Sequence, residues 1–594
     1  MPMRILVRMV LLAAVVGGSC LEVQGLSAAQ ARTTLALDSP STVDEKNARD
    51  NEQAPPTASK LDEMIDRIFK REHVEVAAFD PYAPIIETYI QKVRFDQVLG
   101  TVPKSDYYFL GQADFRGRLK IHSMTANSRK GSLMWSFEPA GFLQMIYIDR
   151  GEFDRAHYKF EYVKREFLGE VRCIAFDVSP LPKARGARFI GRIWVEDQDY
   201  TIVHFSGTYS PSIHFSLKHF EDEYYLHFSS WRINVKSGLW LPSYIYSQEL
   251  HKPTFFDNPS YKSFTHLWGY KLKPGSREEE LNRLLVESPS PIKDEAAQHD
   301  RSPLEAQREW RHVAENNVLE LLERIGLLAP QGEVDKLLNT IVNNLEVTNS
   351  FDEQIDLKCR VLLTSTLEMF SIGNTLVLSR GLIDAVPNEE TLAALIAHAM
   401  ADAMLPKPNQ DQYGFSDILR LSPTEVLKRL SFEEGKIESA QNNEKAMELL
   451  KKSPYASNLG NAGLFLKQLS SQAKALKQLI SPQLGNEIYF ASQLLQAAPA
   501  LAPDNKSQIA ALPLGARLKI DPWSAGVSLM KSKPMTPLSG RDKMPFAVTP
   551  LVPYLTRYVE VTAAPAGPKN DGRSQSLKPS DTRTVGIWCR NSNN

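Results

Sequence analysis

The stretch Thr391-Leu392-Ala393-Ala394-Leu395-Ile396-Ala397-His398-Ala399-Met400-Ala401-Asp402-Ala403-Met404 decides how the second half of the chain is read. Leu392, Leu395, Ile396 and Met400 recur at helical spacing, and alanine, the best helix former, fills most remaining positions. Asn388 just upstream is a good N-cap, and Glu389 and Glu390 favour the positive end of the helix. The segment 388–404 is therefore expected to be a core helix carrying His398 and Asp402 one turn apart.

Two histidines at i and i+4, with a glutamate beside the first, make the HExxH arrangement that holds zinc and activates water. In this helix the same slots read His398, Ala399 and Asp402. Alanine at 399 cannot take a proton from water, a role worth on the order of 100- to 10,000-fold in rate. His398 is also the last histidine after His312, so the region cannot supply a two-histidine site from its own sequence. The alternative to a ligand is a packed histidine bonded to Asp402 one turn on.

Around this helix lies a chain of 594 residues, 43% hydrophobic and 23% charged, with a formal net charge of -1. That composition suits two or three globular domains and gives no global attraction to nucleic acid. Arg4 and Arg8 followed by the apolar run Met9–Val16 have the layout of a secretory signal, with cleavage after Gly25 or Ala31. The expected localisation is export, to the periplasm or the medium; Cys20 in GGSC offers a lipoprotein anchor as an alternative. The four cysteines, Cys20, Cys173, Cys359 and Cys589, form no CxxC or Cys/His spacing, so zinc ribbons and dithiol redox chemistry are not indicated. GxSxG, Walker-type and GxGxxG motifs are missing as well.

Residues 1–31 are thus read as a signal peptide and 32–60, rich in Pro, Ser, Asp and Asn, as a disordered linker. From 61 to 272 the texture is β-branched and aromatic with two-residue alternation, as in RFIGRIWVEDQDYTIVHFSGTYS, broken by the turn-formers DRGEF, EDQD and VKSG. This is an antiparallel β domain of hairpins. A charged, turn-rich linker, 273–303, leads to helical segments at Glu305–Leu328, Glu333–Leu345, Pro423–Arg429, Glu434–Lys451, Leu459–Ile480 and Asn486–Ala497, with short strands at Cys359–Leu363 and Thr375–Leu378. The tail 562–594 is expected to be disordered.

Two resemblances follow from these residues. The strand-turn-strand unit Gly191–Val203 resembles the hairpins of LolA-type periplasmic lipoprotein carriers, a curved antiparallel sheet wrapped around a helix. That resemblance implies a greasy pocket for a lipid or acyl chain lined by residues such as Phe189, Trp194, Phe205, Tyr225 and Trp231. Second, Phe370–Leu378, Gly381-Leu382-Ile383, Asn388-Glu389 and Leu392–His398 together resemble the zinc metallopeptidase family of the CAAX prenyl proteases and HtpX, over roughly Asn316 to Leu469. Carried over position by position, His398 matches the first ligand, Ala399 replaces the general base, Asp402 replaces the second histidine, and Gln441 stands at the third, glutamate ligand.

The fold class expected from both is α+β and multidomain: a curved antiparallel sheet, then a mainly helical zincin-like domain over 304–561. The function implied is a pseudoenzyme, with degenerate metal positions His398, Asp402 and Gln441 and no zinc cofactor, that binds an extended peptide or envelope protein. In the family the strand Asn374-Thr375-Leu376-Val377-Leu378 lies along the substrate cleft, which makes it the expected peptide-binding strand. The alternatives are an active zinc metalloendopeptidase using His398 and Asp402, and lipid or lipoprotein binding through the β domain.

Overall fold

Strand β1 (Ile85–Asp96) shows how the sheet is built, because its period of two serves two cores at once. Ile86 and Ile90 enter one apolar cluster and Ile85 and Tyr89 another, so both faces of the strand are covered. The structure is a computed structural model and describes residues 58–96, 100–116, 119–124, 139–182, 188–209, 227–249, 260–272, 303–349, 357–404, 427, 440–480, 484–485, 498–500, 502, 505–513, 517–522, 524–530 and 546–558. The helices expected at Pro423–Arg429 and Asn486–Ala497 and the signal and tail segments lie outside these residues apart from Leu427, and the two expected linkers are described only at 58–60 and 303, which belong to helices.

The fold is α+β. Helix α1 (Ala58–Ala77) precedes β1, β2 (Gly100–Asp114) and β3 (Lys120–Ser123); the short helix α2 (Pro139–Gln144) follows. Seven more strands complete the sheet: β4 (Tyr158–Leu168), β5 (Val171–Pro180), β6 (Phe189–Glu196), β7 (Ile202–Tyr209), β8 (His227–Lys236), β9 (Leu239–Glu249) and β10 (Ser260–Trp268). All ten form one antiparallel sheet in the order β3-β2-β1-β10-β9-β8-β7-β6-β5-β4. Hairpins set nearly every neighbour, and β1 closes the gap to β10 with Tyr89 opposite Phe264. The β6–β7 turn needs a left-handed residue, which Tyr200 supplies at φ 58, while buried Glu196 accepts the N–H groups of Gln198 and Asp199.

On one face of the sheet lies α1, whose Met64, Ile65, Ile68 and Phe69 pack with Phe79, Phe189 and Phe205. A buried ion pair ties helix to sheet: Arg232 of β8 donates to both carboxylate oxygens of Glu72 at 2.7 Å.

The opposite face meets the C-terminal part. There α3 (Pro303–Ile325) and α4 (Glu333–Asn349) lead to a three-stranded sheet of β11 (Lys358–Leu362), β12 (Met369–Ile372) and β13 (Thr375–Ser379). Helices α5 (Arg380–Ala385), α6 (Glu389–Ala403), α7 (Ala440–Lys451), α8 (Leu459–Gln472) and α9 (Lys477–Ile480) follow; then come α10 (Lys506–Ala510) and the small hairpin β14 (Leu518–Ile520) and β15 (Val527–Leu529). Asn388 caps α6 as its sequence predicts, accepting the N–H of Thr391 at 3.0 Å. The single helix expected over Leu459–Ile480 is two, α8 and α9, and β12 was not foreseen because its four residues are too few to display a period.

Sheet and C-terminal part share one apolar cluster, in which Ile85, Tyr89 and Trp268 join Val318, Leu322 and Leu327. Polar side chains of β1 fasten the two: Glu87 accepts from the N–H of Ser365 at 2.6 Å and from the Tyr108 hydroxyl at 2.8 Å. Gln91 clamps the extended segment 546–558, donating to the Phe546 carbonyl and accepting the Val548 N–H at 2.8 Å. Among the described residues no helix is long and apolar enough to cross a membrane.

Candidate functional site

Helix α6 is apolar on every side: residues 392–401 are all buried. His398 is 3% exposed and Ala399 1%. Burial drives the His398 imidazole down to about pKa 4, so the ring is neutral at physiological pH. A neutral ring is the form that ligates metal, but it also fits a packed core. Asp402 is one turn further on α6, and Gln441 lies on α7, which packs against α6. The topology thus brings the elements bearing His398, Asp402 and Gln441 together; the side chains of Asp402 and Gln441 lie outside the described residues. Where a peptidase needs a carboxylate to move protons, Ala399 offers a methyl group inside the core. One imidazole, one carboxylate and a neutral amide do not fit the donor set of catalytic zinc.

The expected peptide-binding strand, Asn374 to Leu378, lies inside its sheet. The order in its sheet is β11-β13-β12, which makes β13 the central strand. Thr375, Leu376, Val377 and Leu378 pair in parallel with Lys358–Val361 and antiparallel with Met369–Ile372, and Asn374 accepts the N–H of Lys358 at 2.9 Å. Both edges of the strand are occupied, so an extended peptide finds no main-chain groups to pair with on it.

The residues expected to line an acyl pocket divide between the two faces of the sheet. Phe189 and Phe205 lie on the α1 face, where they pack edge to face at 5.7 Å and meet Phe228. Trp194 and Trp231 lie on the other face, because successive side chains of a strand point opposite ways. Tyr225 is outside the described residues.

On that other face a row of rings crosses three strands. His204 is stacked between Trp194, at 4.2 Å and 22°, and Trp231, at 3.7 Å and 9°. Its Nδ1 is 2.9 Å from the Ser230 carbonyl, and burial lowers the imidazole to about pKa 4. The Trp194 indole N–H donates to Glu166 at 2.7 Å. Beside Trp194 an open groove of about 490 Å³ runs over β4 to β7, bordered by Glu161, Asp177, Ser179, Ile190, Arg192 and Ser206. Arg192 donates Nε–H and Nη2–H to the two oxygens of Asp177 at 2.7 and 3.1 Å. Of these residues the sequence pointed to Trp194 and Trp231 as ligand-facing. The signal was available, since alternation in Ile190-Gly191-Arg192-Ile193-Trp194 sets Ile190, Arg192 and Trp194 on one face.

No protein-family model matches the chain, and no curated protein matches it. Among solved structures it is similar to a LolA superfamily protein from Nitrosomonas europaea, with 13% identity over 36% of this chain and 96% of that one, at a TM-score of 0.22. It is also similar to the Pseudomonas aeruginosa MucA/MucB complex, with 8% identity over 34% and 94% of the two chains, at a TM-score of 0.14. At these scores neither likeness carries an argument, and function rests on the residues themselves.

Proposed function

We propose that the chain is an exported, non-catalytic binding protein whose C-terminal part is a metallopeptidase-like scaffold that engages a peptide or an envelope protein without metal. The observation that carries this reading is Ala399, 1% exposed beside His398 in the middle of an apolar helix. The order of elements supports the likeness: strand β13, the Gly381-Leu382 start of α5, and α6 capped by Asn388. What fails is the chemistry, because a core methyl replaces the proton-transferring carboxylate. Binding through β13 is replaced in this reading by side-chain contacts elsewhere on the scaffold. The second reading is lipid or lipoprotein binding through the β domain, whose curved sheet packs around α1 on the face that carries Phe189 and Phe205.

The test is metal content and peptidase activity of the full chain, alone and with Ala399→Glu, Asp402→His and Gln441→Glu combined. The expected result is sub-stoichiometric zinc and no hydrolysis in the native chain, with zinc retained by the folded triple variant. Stoichiometric zinc and peptide hydrolysis in the native chain, both lost on His398→Ala, overturn the reading. A folded triple variant that takes up no zinc overturns the metallopeptidase likeness.

A further inference from the structure

We propose that the groove over strands β4 to β7 is a saccharide-binding site with Trp194 as its platform. Its strand face is separate from α6, so the inference stands apart from the metal question.

Three features of the groove point to this ligand class. First, the Trp194 ring is held rigidly: His204 covers one side at 4.2 Å, Trp231 backs His204 at 3.7 Å, and Glu166 takes the indole N–H at 2.7 Å. A ring clamped on a side and an edge loses little freedom when a ligand lands on it. Second, the next cross-strand row reads Glu161, Asp177, Arg192 and Ser206 in register. Arg192 and Asp177 form a planar, bidentate pair whose side chains are 36% and 48% exposed, so donors and acceptors lie side by side at the surface. Third, Ser179 and Ser206 keep the floor low while offering hydroxyls that donate or accept.

Charge narrows the choice. Among the described residues, the cations beside the groove are paired with carboxylates: Arg192 with Asp177, Lys159 with Glu161, Lys164 with Glu166. An anionic or cationic ligand would have to break one of these pairs. An alkyl chain would desolvate them without returning hydrogen bonds, which costs more than the buried area returns. A sugar ring has one apolar C–H face for the indole and a rim of neutral hydroxyls for the guanidinium, carboxylates and serines. The groove volume, about 490 Å³, suits a short oligosaccharide. Ordinary exposed sheet faces also carry cross-strand ion pairs. The clamped Trp194 beside the pair is what distinguishes this one.

The test is isothermal titration and saturation-transfer NMR of the full chain with maltotriose, cellotriose and N,N′,N″-triacetylchitotriose, and with octanoate as the apolar probe. At least one trisaccharide is expected to bind with a millimolar or tighter Kd. Arg192→Ala and Ser206→Leu, both at partly exposed positions outside the ring stack, are expected to weaken it by about tenfold or more without changing the melting temperature. Saturation transfer is expected to be strongest at the C–H protons of the ring that rests on Trp194, and to fall in Trp194→Leu. No trisaccharide binding up to ~10 mM overturns the proposal, as does binding that both groove variants leave unchanged or that octanoate displaces.

Discussion

The carboxylate of Asp106, on β2, accepts the backbone N–H of Leu479 at 2.8 Å, joining residues 373 positions apart in the chain. The same carboxylate accepts the Gln478 N–H at 2.9 Å and the Tyr89 hydroxyl at 3.1 Å. Burial raises its pKa, while the N–H groups at the start of α9 favour the ionised form. Replacing Asp106 by alanine leaves two amides without their acceptor and is expected to destabilise the chain by about 2 kcal/mol. Urea unfolding measures the loss, and hydrogen exchange should localise it to the amides of Gln478 and Leu479.

The pair Glu72–Arg232 tests how α1 is held. Both side chains are almost wholly buried, and Glu75 lies close enough to share the guanidinium field, its own pKa raised by burial. Arg232→Met alone strands Glu72 and is expected to cost about 3–5 kcal/mol. The double variant Glu72→Leu with Arg232→Met should recover most of that, since a buried pair is often no better than packed apolar groups. A double-mutant cycle on unfolding free energies gives the answer; equal losses in the single and double variants would contradict it.

Gly169, at the β4–β5 turn, has φ +69, and a Cβ there would lie 2.5 Å from the backbone N and O of Leu555. It is therefore glycine for two reasons: the left-handed backbone and the segment crossing over it. Gly169→Ala is expected to displace residues 546–558 and to cost about 2 kcal/mol. Loss of exchange protection at the Glu170 amide, which donates to the Leu555 carbonyl at 2.8 Å, is the specific readout.

Two buried histidines predict acid sensitivity. His204 and His398 have native pKa values near 4 because of burial, against an ordinary value of 6.5. Below pH 6.5 the unfolded chain takes up protons that the native rings refuse, so stability is present above that pH and falls as pH drops toward 4. Each ring contributes on the order of 2–3 kcal/mol to the fall. His398→Phe should flatten the stability profile between those two values, as measured by chemical denaturation across pH; an unchanged slope would mean that the ring is protonated in the native core.

Some of the fold was legible for local reasons. The Asn388 cap and the run of Leu and Ala through Leu395 define α6 within one residue, because capping and period act over a few positions. The hairpins around Gly191–Val203 were legible by alternation. The groove beside Trp194 was not, since it depends on Asp177, Arg192 and Ser206 standing in register on three strands, a relation that no single strand contains. Glu87 and Gln91 depend on tertiary context in the same way: both are 0% exposed because the C-terminal part covers them.

What the sequence alone determined is chemical identity within one helix: residue 399, beside His398, is alanine, and no tertiary arrangement lets a methyl group transfer a proton. What only the tertiary structure decided is which groups remain available. Strand β13 became central when β12 paired with it, and the polar side of β1 became a joint between sheet and helices. Each depends on strand pairing or on contacts between segments hundreds of residues apart. Local periodicity does not encode these, because a shift of one residue in register would turn every side chain to the other face.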